Sequence, residues 1–158
     1  MLIAVTVLPS CTVEAPDPPD FGFRWAGGGL VVAAPLCPSE SVDQARVSVP
    51  SAADGRGDGF DTLWSAGGPV TDEARGGTFS VGSSTSFRNV EKPLSGALPD
   101  EFYVEIRLAE PGRTAEGRDG TVDLTKLKGT RLRDGEFMTW TGKVLTRGQL
   151  DAQLRCGD

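Results

Sequence analysis

Twenty-two carboxylates, sixteen Lys and Arg, three cysteines and no histidine define the chemistry open to this 158-residue chain. Without histidine there is no Ser-His-Asp or Cys-His catalysis, and no His-ligated zinc or haem. Carboxylates, hydroxyls and thiols remain. The densest polar segment is Asp54-Gly55-Arg56-Gly57-Asp58-Gly59-Phe60-Asp61. Its Asp54, Asp58 and Asp61 partly match a calcium loop, in which hard oxygens converge on a tight glycine turn. Arg56 stands where a third-position ligand belongs and Ser65 where the closing Glu belongs, so a solvated hairpin loop is the favoured reading. Arg56-Gly57-Asp58 also spells the integrin-recognition tripeptide, a pattern short enough to recur by chance in a loop of this composition. Glu116-Gly117-Arg118-Asp119-Gly120 has the same turn chemistry. Paired carboxyls serve glycosidases when they flank a scissile bond, but no pair among the 22 acids is singled out by spacing. Nucleophile elbow, phosphate loop and dinucleotide fingerprint are all absent. Gly27-Gly28-Gly29 precedes a strand and not a helix, so it makes no phosphate cradle. The expectation is a protein with no catalytic residues, metal or cofactor.

Aromatic side chains offer the other route to function, as a sugar or peptide surface. Tyr103 and Trp140 are the candidates, Tyr103 on the polar phase of its strand and Trp140 with the core as its favoured place. The net charge is 16 − 22 = −6, and no basic face is visible, which argues against a nucleic-acid partner. The densest basic stretch, Lys126, Lys128, Arg131 and Arg133, has spacing that suits one solvated face of a strand. Arg outnumbers Lys twelve to four, and Gly and Ala are abundant, a composition that hints at a GC-rich bacterial genome.

The N-terminus reads as a targeting signal. Met1 to Leu8 is almost wholly apolar, far short of the roughly 20 residues that span a bilayer but near the minimum for a secretory signal core. Leu8-Pro9-Ser10-Cys11 resembles the lipobox of bacterial lipoproteins, with Pro9 where a small residue is usual. The resemblance implies cleavage before Cys11, lipidation of Cys11 and export to the outer face of the cytoplasmic membrane or the cell surface. Thr12 to Asp20 follows with three prolines and three acids, a stretch suited to an extended tether. The expected layout is a signal remnant over 1–10, a lipidation site and tether over 11–20 and a folded domain over 21–158. With Cys11 assigned to the lipid, Cys37 and Cys156 remain, and two cysteines in an exported protein are most simply a disulfide.

The elements that position these residues are short strands between Gly, Pro, Asp and Ser clusters. Phe21, Phe23 and Trp25 alternate with small or polar residues, and Leu30 to Leu36 is a continuous apolar run. Ala45, Val47 and Val49 form a period-two strand, Phe60 to Ser65 carries Trp64, and Phe79 and Val81 open a weaker strand. Gly67 to Gly77 reads as loop, and the Ser-rich 80–86 stretch as exposed or edge strand. Phe102, Val104, Ile106 and Leu108 mark the strongest strand, with Val122 and Leu124 after it. Arg133-Asp134-Gly135-Glu136 reads as a hairpin turn joining strands over 130–133 and 137–141. One helix is expected, from about Arg147 to Arg155, opened by the capping box Thr146-x-x-Gln149.

Seven to nine short strands with frequent turns fit a mainly β fold, a β-sandwich with one short C-terminal helix. The stretch from Leu98 to Ile106, an aromatic strand after a Leu-Pro turn, is similar to the lead-in to strand F of fibronectin type III and immunoglobulin-like domains. Trp25 and Trp64 are the expected core aromatics. The functional expectation is a non-enzymatic, surface-anchored lipoprotein with a binding or structural role in the cell envelope. Its partners would be the membrane, through the lipid, and an envelope protein or glycan. The alternatives are a carboxylate-dependent secreted hydrolase acting on glycans and a structural subunit of a phage or secretion assembly.

Overall fold

The structure is a computed structural model that describes residues 17–52, 59–109 and 116–157. In chain order its strands are β1 (Gly22–Ala26), β2 (Gly29–Ala33), β3 (Val42–Pro50), β4 (Phe60–Pro69), β5 (Thr78–Ser80), β6 (Phe87–Lys92), β7 (Glu101–Leu108), β8 (Gly117–Asp123), β9 (Glu136–Thr139) and β10 (Val144–Thr146). Two short helices, α1 (Asp72–Arg75) and α2 (Arg147–Asp151), and a 3-10 turn over Leu124–Leu127 complete the described elements. The strands form two five-stranded antiparallel sheets, ordered β10-β9-β1-β2-β5 and β6-β4-β3-β7-β8. The protein is mainly β, with sandwich-like packing of the two sheets and a short C-terminal helix.

Alternation drives this arrangement. Phe102, Val104, Ile106 and Leu108 of β7 turn inward, and so do Phe21, Phe23, Leu30 and Val32 from the β1–β2 side. Between them Trp64 is fully buried against Phe79 and Phe87, with ring centroids 6.1 and 5.7 Å away. The β1–β2 hairpin closes on Gly27 and Gly28 at φ 59° and 79°, a pair of left-handed positions that side chains with a Cβ avoid. A second, smaller cluster lies on the outer face of the first sheet, where Leu150 of α2 covers Ala33 and Phe137. Gly22 makes that docking possible: a Cβ there would lie 2.6 Å from both Leu150 and Phe137. The Thr146–Gln149 capping box is present, with each side chain satisfying the other's backbone N–H. Cys37 and Cys156 are joined by a disulfide that fastens the C-terminal segment to the β2–β3 connection.

Several expectations are corrected. Ten strands are present among the described residues, and β6 and β10 are the additions. Only Phe87 of β6 is buried, so this edge strand shows no alternation, and β10 has three residues. The segment 130–133 is not a strand. Gly135 alone takes positive φ there (78°), and Phe137 and Met138 pair with β10 across a turn at Trp140–Gly142. Lys126 lies on the 3-10 turn, with Lys128 as its C-cap and Arg131 and Arg133 in irregular chain, so these four do not form a strand face. Within the expected 67–77 loop, β4 extends to Pro69 and Thr71 caps the single turn of α1. The helix α2 ends at Asp151, not near Arg155. Among the described residues no helix is long and apolar enough to cross a membrane.

Candidate functional site

The outer face of the second sheet carries most of the polar and aromatic residues that the fold brings together. Strand register places them in rows. Asp119, Glu105, Arg46, Ser65 and Lys92 face one another in sequence across β8, β7, β3, β4 and β6. The next row holds Thr121, Tyr103, Ser48 and Thr62. Arg107, Gln44 and Asn89 belong to the row on the other side, where Gly67 leaves the β4 position open. Glu105 and Asp119 are like charges directly opposite each other, a pairing unfavourable by itself. The Arg46 guanidinium hydrogen-bonds Glu105 and offsets it. Both partners are substantially exposed, so this ion pair orients side chains more than it stabilises the fold.

Phe60 begins β4 and stands 60% exposed on this face. Its ring meets that of Tyr103 edge-on, with centroids 5.4 Å apart and an interplanar angle of 89°. Beside the two rings runs a groove of about 580 Å³ bordered by Arg46, Ser48, Thr62, Glu105 and Asp119. A β-bulge in β4 shapes it. Ser48 pairs with Thr62 and Val47 with Trp64, so Leu63 is the extra residue, and Phe60 and Thr62 keep the outward phase while Trp64 turns inward. Tyr103 therefore lies where its alternation indicates, at the centre of the groove. Phe60 was not legible as its partner, because only the register of β3, β4 and β7 brings the two rings together.

Other chemistry-bearing groups are scattered. Trp25 is overturned as a core residue: it has the inward phase of β1 yet is 55% exposed at the end of the β1–β2 hairpin. It forms the lip of a cleft of about 590 Å³ lined by Leu30, Val81, Leu98, Leu124 and Leu127. Trp140 is also outside the core, 47% exposed at the β9–β10 turn of the first sheet, whereas Tyr103 belongs to the second. Asp61 is exposed next to Phe60, while Asp54 and Asp58 lie outside the described residues, as does Cys11. Among the described residues no group of three His, Cys, Asp or Glu is placed to hold a metal ion.

A separate polar node is structural. Arg118 grips Glu40 with two nitrogens at 2.6 and 2.7 Å and donates to the Pro35 carbonyl, while Glu40 also accepts from the Cys37 backbone N–H. The hydrogen bond from Arg118 holds the Glu40 carboxyl below its ordinary value, against the opposing effect of burial. Burial likewise pulls Arg147 below the usual guanidinium value, and Asp151 opposes the shift. Asp151 also accepts from the Leu36 backbone N–H, so it and the disulfide together tie α2 and the C-terminal segment to the chain that follows β2.

Comparisons with protein families, characterised proteins and solved structures find no match to this chain.

Proposed function

We propose that this is an exported lipoprotein, anchored through Cys11, whose immunoglobulin-like β-sandwich is a non-catalytic binding module of the bacterial cell envelope. The observation that carries the reading is the Cys37–Cys156 disulfide. It suits an oxidising compartment, and it accounts for two of the three cysteines, leaving Cys11 for the lipid. The immunoglobulin-like assignment is supported by six of the ten strands, β1-β2-β5 in one sheet and β3-β7-β8 in the other, an order like that of A-B-E and C-F-G, with β9 and β10 added beyond β1 and β4 and β6 beyond β3. The partner is an envelope protein or glycan held on the outer face of the second sheet, and nucleic acid is not a partner.

One observation favours a hydrolase, the cross-strand pair Glu105 and Asp119. Against it, Glu105 is already engaged by Arg46, so binding is the better reading. A subunit of a larger assembly is supported less. Of the four edges among the described residues, β5 and β10 are three residues each, β6 exposes Arg88, Glu91 and Lys92, and the seven-residue β8 carries Arg118, Asp119 and Asp123, charges that discourage strand addition. Fractionation of the native host tests the reading. The wild-type chain is expected in the membrane fraction and Cys11→Ser in the soluble exported fraction; a cytosolic wild-type chain contradicts it.

A further inference from the structure

We propose that the groove beside Phe60 and Tyr103 binds a neutral saccharide ring. The inference rests on the reading of this domain as a surface binding module and names the class of ligand. Three features of the groove converge on it. First, Phe60 presents an exposed apolar wall that is held in place by its edge-on contact with Tyr103. That contact leaves the Phe60 ring 60% exposed, and an aromatic face accepts the C–H face of a sugar ring. Second, the opposite side carries planar groups, the Arg46 guanidinium and the Glu105 and Asp119 carboxylates, with the hydroxyls of Ser48, Thr62 and Tyr103 between. Such forked donors and acceptors match adjacent hydroxyls, each of which both donates and accepts.

Third, the signs of charge disfavour an acidic ligand. Arg46 is already paired with Glu105, and one guanidinium against two carboxylates gives 1 − 2 = −1, so an anion meets uncompensated negative charge at Asp119. A polyol satisfies both signs without a like-charge contact. The volume of about 580 Å³ falls within the range of small-ligand sites. The site is built on four adjacent strands, β4, β3, β7 and β8, and so keeps its geometry without a ligand. Phe60 supplies the apolar contact, Tyr103 positions it, and Arg46, Glu105 and Asp119 read the hydroxyls.

The test exposes the full chain to an array of neutral, acidic and cationic oligosaccharides. The best ligand is then titrated against wild type, Phe60→Ala, Phe60→Trp, Tyr103→Phe and Trp25→Ala. Neutral glycans are expected to bind. Phe60→Ala should weaken binding about tenfold or more, Tyr103→Phe a few-fold, and Phe60→Trp should retain it. Trp25→Ala, at the distant cleft, should have no effect. Phe60 is exposed, so its variants are expected to fold, and circular dichroism checks that they do. The inference is overturned if no glycan binds, if Phe60→Ala binds as wild type does, or if only acidic glycans bind. A chain that binds no glycan yet is lipidated at Cys11 keeps the anchored-module reading and loses this inference. A bound glycan that is cleaved keeps the groove and overturns the non-catalytic reading.

Discussion

At the residue scale the clearest dependence on solution conditions belongs to Glu40. Its carboxyl is held below the ordinary 4.5 chiefly by the Arg118 hydrogen bond. The native state therefore binds this proton less readily than the unfolded chain does. The contribution to stability is complete above pH 4.5 and is lost as pH falls through the lowered native value. Glu40→Gln should flatten the acid limb of a stability–pH profile. At neutral pH it should cost about 2 kcal/mol in urea denaturation, because the two-pronged contact is mostly shielded from water. An unchanged acid limb would show that Glu40 is not the responsible group. Gly22→Ala is a second residue-scale prediction. The added methyl overlaps Leu150 and Phe137 and should destabilise by about 1–3 kcal/mol, read as a lower urea midpoint. Neither role is legible in the sequence. Arg118 sits in a turn-like Gly- and Asp-rich segment, and only β8 and the β2–β3 connection carry it to Glu40. Trp25 shows the reverse case: its phase is legible, but its exposure depends on how far the hairpin extends beyond the neighbouring sheet.

At the element scale, local chemistry was readable and long-range pairing was not. The capping box at Thr146 announced α2 because both of its hydrogen bonds join residues three apart. A five-residue helix is not stable alone, so its existence depends on Leu150 docking over Ala33 and Phe137. Leu150→Ala should cost about 2–4 kcal/mol, whereas Thr146→Ala should cost only about 1 kcal/mol; thermal unfolding of the two variants orders them. An equal or reversed order would mean that the cap and not the docking holds α2. The strongest strand, β7, was legible from strict alternation, and the groove residue Tyr103 with it. The edge strand β6 was not, since an edge with one buried residue need not alternate. The alternating Lys and Arg beyond residue 126 imitated a strand face. Leu124 and Leu127, three apart and both turned to the core, favour a 3-10 turn there instead.

At the scale of the whole molecule, the disulfide links the C-terminal segment to the first sheet across 119 residues of sequence. Closing so long a loop restricts the unfolded chain, and Cys156→Ser should lower stability by about 2–5 kcal/mol. Thiol counting on unreduced, denatured mature protein should find no free thiol on Cys37 or Cys156. The mainly β class and this pairing were legible because composition, turn density and cysteine arithmetic are properties of the whole chain. The groove was not, because it exists only once β4, β3, β7 and β8 are in register. The central claim is that Cys11 anchors the sandwich to a membrane, leaving the outer face of its second sheet free to bind. Mass spectrometry of the protein from its native host tests this most directly. A mature chain that begins at Cys11 and carries lipid there, with residues 1–10 absent, is expected. An unmodified N-terminal peptide containing Met1 would contradict it.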